Sequence, residues 1–358
     1  MSLRRAAVAA FCLIVAAIAG AGAHLAGMPL AFVLAPMLVT AAFAMAGLEP
    51  WAPLAGRRAG QIVIGAAVGL NLTWPVLSAA AAWIPLMIAA AFVSVLVAAV
   101  FGLVFERLAK VDGRTAYFAM LPGGLAEMAS VASSLGARAE PVALAQSLRV
   151  ALVVLLLPLL IQWLGVDGGI ESPLGEQVVP PWAIPVVLGA GLAGVLAVRR
   201  LGLNSPWMIG SLVAATVLAS TGTVDGRLPD PLFWAGQYLL GIAVGARFRR
   251  DIVLRLVRVT MAAAGLVVAM SAVFGVLGIL LAAATAIDAS TGILVLAPGG
   301  LAEMAVTAKT LHLDITLVVL FHVIRVFLVN AFATHTYAAL DRTGFFAAGS
   351  RLLSRILP

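Results

Sequence analysis

Eight residues, Pro122-Gly123-Gly124-Leu125-Ala126-Glu127-Met128-Ala129, recur letter for letter as Pro298-Gly299-Gly300-Leu301-Ala302-Glu303-Met304-Ala305. The offset, 303 − 127 = 176 residues, holds without gaps far outside the motif. Gly60-Gln61 matches Gly236-Gln237, Ala67-Val68-Gly69 matches Ala243-Val244-Gly245, and Arg149-Val150 matches Arg325-Val326. Such self-similarity marks a duplicated unit and confines the chain to folds in which one unit packs on its copy. Each copy plants a glutamate beside a helix-breaking Pro-Gly-Gly in strongly apolar surroundings. A carboxylate there is costly and faces a partner or a wet cavity.

The surroundings are apolar enough to exclude an ordinary soluble domain. Hydrophobic residues make up 63% of the 358, charged residues 10%, and the mean hydropathy is +1.13, so the chain belongs in a lipid bilayer. The net charge of +7 comes from basic residues clustered between apolar stretches, a pattern that orients membrane proteins rather than one that grips nucleic acid. Cys12 is the single cysteine, which excludes an internal disulfide. Arg4-Arg5, an apolar run and Gly20-Ala21-Gly22-Ala23 together resemble a signal peptide. The run has a counterpart at 182–198, which cannot be a signal, so the reading is a retained first helix.

Each copy offers five apolar stretches long enough to cross: 6–24, 29–48, 59–73, 83–105 and 140–163, then 182–198, 206–222, 233–247, 259–286 and 314–338. The third of each set is short and glycine-rich, which suggests a tilted or broken span. The Pro-Gly-Gly segments, 115–137 and 290–311, suit either a re-entrant hairpin or an interrupted crossing. Charge arbitrates between the two. With five crossings per copy the copies are inverted, and Arg4-Arg5, Arg57-Arg58, Arg107/Lys110/Arg114, Arg199-Arg200, the 247–258 cluster and Arg342/Arg351/Arg355 all fall on one side. Six crossings per copy would scatter them, against the positive-inside rule.

The predicted architecture is therefore an all-α polytopic membrane protein of two inverted repeats, about five transmembrane helices each, plus one broken or re-entrant segment per repeat. Its divisions are a first membrane repeat at 1–164, a polar linker at 165–181, a second repeat at 182–340 and a cytoplasmic tail at 341–358. The seven tryptophans fall near predicted span ends, where amphipathic rings settle among headgroups.

The motif glutamate is followed at one spacing, 149 − 127 and 325 − 303 both being 22, by an arginine deep in the next span. Arg149 and Arg325 need a carboxylate, an anion or water at that depth, and Glu127 and Glu303 are the obvious protein candidates. Two readings stay open: a buried ion pair in each copy that holds the broken segment, or four charges around a midplane cavity that binds a solute. Gly123, Gly124, Gly299 and Gly300 let the backbone leave and restart a helix, exposing amides that attract anions. Glu127 and Glu303 either cap that start or compete with a ligand for it. Gln61 and Gln237 need hydrogen-bond partners and suggest an interhelical bond first, a ligand second. His322 lies one turn before Arg325 and could join its network, although the aligned residue is Gln146. The Gly-x-x-x-Gly spacings at 65/69 and 241/245 suggest close helix packing. No repeated His or Cys set supports a metal site or other cofactor, and no nucleophile with a repeated base supports covalent catalysis, so an enzyme is not expected.

The twofold Pro-Gly-Gly-Leu-Ala-Glu-Met, set in two hydrophobic units spanning essentially the whole chain, resembles the AbrB-duplication family of bacterial inner-membrane proteins. These are distinct from the soluble DNA-binding AbrB. The resemblance implies a multi-pass inner-membrane location with both termini cytoplasmic, and two inherited labels, regulator of gene expression and ammonia monooxygenase. Direct nucleic-acid binding has no soluble reader here, and copper chemistry has no clustered ligands. The expected partners are the lipid bilayer and an unknown small molecule or ion, with homo-oligomers open. The leading expectation is a secondary-transporter-like carrier; a membrane sensor acting indirectly on transcription is the alternative, and the monooxygenase the weakest.

Overall fold

A computed structural model describes residues 3–163, 177–203, 205–285, 287–346, 348–349 and 351. The first half runs α1 Leu3–Leu25, α2 Ala31–Met45, α3 Leu54–Gly69, α4 Trp74–Ala80, a 3-10 turn Ala81–Trp83, α5 Ile84–Ala109, α6 Gly113–Met120, α7 Leu125–Ser134 and α8 Ala139–Trp163. The second runs α9 Ala183–Arg200, α10 Pro206–Ser220, α11 Asp230–Gly245, α12 Arg250–Arg255, α13 Val257–Ala284, α14 Ala289–Leu296, α15 Leu301–Thr310 and α16 Ile315–Arg342. Shifted by 176, the bounds of α3, α6 and α7 coincide with those of α11, α14 and α15. Apart from one β-bridge between Val178 and Arg227, the described residues are helices and their connections. Most of the linker at 165–181 and the end of the tail at 341–358 lie outside the described residues, and α16 runs on to Arg342.

Six described helical stretches are long and apolar enough to cross a membrane: Arg5–Leu25, Trp74–Ala109, Ala139–Trp163, Ala183–Arg200, Val257–Ala284 and Ile315–Arg342. Ala31–Met45 and Pro206–Ser220 are shorter apolar helices. The third helices, α3 and α11, have 16 residues each and are neither broken nor full length, since they reach only about 24 Å at 1.5 Å per residue. Large apolar side chains point outward along α1 (Phe11, Ile14, Ile18), α5 (Phe92, Leu96, Val100) and α13 (Val276, Ile279, Leu280). An apolar outer face of this extent fits lipid and not water.

The sequence halves are not packing units. α3 packs on α10 and α11 packs on α2, so each half lends its third helix to the other half's second, and α3 crosses α11. Glycines permit these approaches. A methyl group at Gly60 would stand 2.9 Å from the Gly236 carbonyl oxygen, and one at Gly65 2.6 Å from that of Met208, too close for either backbone to yield cheaply. Gly69, Gly241 and Gly245 meet the carbonyls of Leu212, Val33 and Met37 in the same way. These contacts are the close packing that the Gly-x-x-x-Gly spacings predict. The remaining long helices form a second assembly, in which α13 packs on α5 and α8, and α16 on α5.

Candidate functional site

The Pro-Gly-Gly segments break their helices in the middle. Asp112 caps α6 by accepting the Thr115 amide at 2.9 Å, and Asp288 caps α14 by accepting the Thr291 amide at 2.8 Å. After Met120 and Leu296 the backbone becomes extended through the motif, with Gly124 at φ −68, ψ 137 and Gly300 at φ −81, ψ 152, before α7 and α15 begin. The ends of each segment then meet. The Thr115 hydroxyl accepts the Arg138 amide at 2.9 Å, and Thr291 accepts the Asp314 amide at 3.3 Å. Each broken segment is thus a hairpin with its tip at Pro-Gly-Gly.

A helix that stops at such a tip leaves carbonyls without partners. Arg149 supplies them in the first hairpin, donating from its two terminal nitrogens to Leu121 at 2.7 Å and Gly123 at 3.1 Å. Arg325 does the same in the second, for Ala297 at 2.5 Å and Gly299 at 2.7 Å. A planar fork spans two carbonyls where an ammonium could not, and its charge suits a helix C-terminus. The expected pairing of these arginines with Glu127 and Glu303 is absent: no ion pair involves any of the four among the described residues. The reason is local. The tip carbonyls lie within reach of the guanidinium, while each carboxylate folds back over its own helix start.

That fold-back accounts for the two glycines, the glutamate and the methionine of the motif. The Glu127 carboxyl carbon sits 2.7 Å from where a Gly124 methyl would be, and the Met128 sulfur 2.7 Å from where a Gly123 methyl would be. In the second hairpin the corresponding distances are 3.1 Å for Glu303 over Gly300 and 2.6 Å for Met304 over Gly299. Both glutamates are third in their helices, inside the first turn, where a negative charge faces the helix dipole favourably.

The two tips face one cavity of about 160 Å³. Its walls are Gly123, Gly124 and Glu127 from one hairpin, Gly299, Gly300 and Glu303 from the other, and Arg149 from α8. Further walls come from Arg57 in the first turn of α3 and Gln61 at its middle, Trp207 at the start of α10, and Arg247 after α11. The structure therefore gathers Glu127, Glu303, Arg149, Gln61 and the four motif glycines. It does not bring Arg325, Gln237 or His322 to this wall. Arg325 and His322 are buried on α16, where Nδ1 of His322 hydrogen-bonds the Val318 carbonyl at 2.8 Å, and Gln237 is buried on α11. The aligned Gln146 sits behind the first tip and donates to the Phe118 carbonyl at 2.9 Å and the Leu121 carbonyl at 2.8 Å.

Arg57 and Arg247 escaped the sequence reading because both sit in basic clusters that the positive-inside rule already explained. The direction each side chain faces, which sequence gives poorly, separates Arg57 from its neighbour Arg58. The Arg58 guanidinium lies 4.7 Å from the centre of the Trp207 ring, and that of Arg199 5.8 Å from it. Among the described residues, no group of three or more His, Cys, Asp or Glu side chains is placed to hold a metal ion.

These features define a polytopic helical membrane protein whose broken hairpins converge on an internal charged cavity. The model of the family described as "Transition state regulatory protein AbrB" matches residues 32–340, and the chain belongs to that family. Two relatives are similar over most of their lengths. "Uncharacterized protein YhjN" of Bacillus subtilis (strain 168) is 28% identical over 298 residues, covering 78% of this chain and 77% of the relative. "Putative regulator AbrB" of Escherichia coli (strain K12) is 28% identical over 306 residues, covering 84% and 87%. No solved structure matches the chain.

Proposed function

We propose that this protein is a carrier-like protein of the bacterial inner membrane, built from two inverted copies, that binds a small solute in the central cavity and exposes it alternately to either side. Inversion is supported by the hairpins. Because each enters and leaves at one end, the half-chain keeps an odd number of crossings, and the arginine clusters then share the cytoplasmic side with both termini.

One observation carries the carrier reading: the two copies contribute unequally to the cavity wall. Arg57, Trp207 and Arg247 reach it, whereas their counterparts 176 residues away, Phe233, Ala31 and Asn71, are buried elsewhere. Two copies that are inverted yet unequally arranged can exchange arrangements, and the exchanged state opens to the opposite side. The name of the Escherichia coli relative, a regulator, favours a second reading, a membrane sensor that binds at the same cavity without moving its ligand.

Cysteine accessibility in a Cys12→Ala background separates the two readings. A carrier predicts that Gln61→Cys reacts with an impermeant thiol reagent from the cytoplasmic side and Gln237→Cys from the other, and that a bulky adduct at one blocks labelling of the other. Failure of Gln237→Cys to react from either side would overturn alternating access.

A further inference from the structure

The geometry points to a small carboxylate anion as the ligand of the central cavity, held between the two helix starts and the cavity arginines, with Glu127 and Glu303 as built-in competitors. This inference rests on the reading of that cavity as a solute site and names its substrate class.

Charge decides the sign. Arg57, Arg149 and Arg247 outnumber Glu127 and Glu303 on the wall by one; none of the five is in ion-pair contact among the described residues, although Glu303 attracts Arg149 and Arg247 across the cavity. The starts of α7 and α15 add about half a positive charge each. The ends of α6 and α14 at the same tips take away about half a charge each, so the cavity is cationic by about one charge, that of the excess arginine.

Arg149 is 2% exposed and brings its charge to the cavity wall, while its terminal nitrogens stay on Leu121 and Gly123; its Nε–H has no hydrogen-bond partner, and neither has that of Arg325, which lies off this wall.

The class of anion follows from what already sits there. At both tips the group folded over the helix start is a carboxylate, that of Glu127 or Glu303. A surface shaped to a side-chain carboxylate accepts a ligand carboxylate once the side chain swings away, and guanidinium groups match its two oxygens. Size narrows the choice. At about 160 Å³ the cavity is well below the roughly 300–1,000 Å³ of sites for drug-sized ligands, which leaves acids of a few carbons.

The test is calorimetric titration of the purified full chain in nanodiscs with sodium acetate, acetamide and methylammonium chloride at matched ionic strength. Acetate is expected to bind, while acetamide, of the same shape but neutral, and methylammonium are not. Arg57→Gln and Arg247→Gln, which change separate elements, should each weaken acetate binding about tenfold or more. Glu303→Gln, which keeps shape and removes a competing charge, should strengthen it several-fold. Acetamide binding as well as acetate, or Glu303→Gln weakening acetate while both arginine variants leave it unchanged, overturns the assignment. Absence of acetate binding in a protein that still shows two-sided cysteine access removes the anion and spares the carrier. Acetate binding with one-sided access does the reverse.

Discussion

The interlocking of the two halves through their third helices makes a prediction of opposite sign at two kinds of glycine. An alanine methyl at Gly65 would stand 2.6 Å from the Met208 carbonyl oxygen and 3.1 Å from the Ser211 Cβ, whereas ordinary contact begins at 3.4 Å. The two helices must part by about 0.8 Å, a gap that forfeits a quarter to a half of the dispersion energy of the atoms along it. Overpacking of this kind costs about 1–3 kcal/mol. Gly265 and Gly275 on α13 have nothing within 4 Å of a new methyl, so alanine there gains only helix propensity, about 0.5–1 kcal/mol. The two classes should differ by about 1.5–4 kcal/mol, at least tenfold in the unfolding equilibrium constant. Denaturation in mixed micelles, with the detergent fraction at the midpoint as readout, measures this directly. Alanine at 65 as neutral as at 265 would refute the interhelical packing.

Arg149→Lys keeps the charge but cannot bridge two carbonyls, and should cost about 1.5–3 kcal/mol in the same assay, the worth of one hydrogen bond to a charged group. Asp112→Ala and Asp288→Ala remove the caps of α6 and α14; each should cost about 1 kcal/mol and speed amide exchange in the first turn of its hairpin alone. Arg255 and Glu140 pair at 2.9 Å but are each 59% exposed, so Arg255→Ala should shift the midpoint by less than about 1 kcal/mol.

Much of the fold was legible because a bilayer simplifies the code. Long apolar runs become helices, and the predicted span at 140–163 is α8, Ala139–Trp163. The motif predicted a break, and the glycines predicted close packing. What failed was partner assignment. Arg149 and Glu127, like Arg325 and Glu303, stand 22 residues apart, and the carboxylates were the candidate partners in sequence, whether as ion pairs or around a cavity. The competing acceptors were backbone carbonyls, which every sequence contains and none displays. The exchange of α3 and α11 between halves was equally hidden, since glycine spacing shows that a helix approaches something closely and not which helix it approaches. Arg57 and Arg247 were invisible for a third reason, that charge clusters conceal a member that turns inward.

The central claim is that the two halves face opposite ways across the membrane, with their hairpins entering from opposite sides. Ser134 and His312 are exposed, just at or beyond the ends of α7 and α15. Single cysteines at these positions in a Cys12→Ala protein, probed in intact cells and in inverted vesicles with an impermeant maleimide, test the claim directly. Ser134→Cys should react only in inverted vesicles and His312→Cys only in intact cells. Reaction of both in the same preparation would contradict the inverted arrangement.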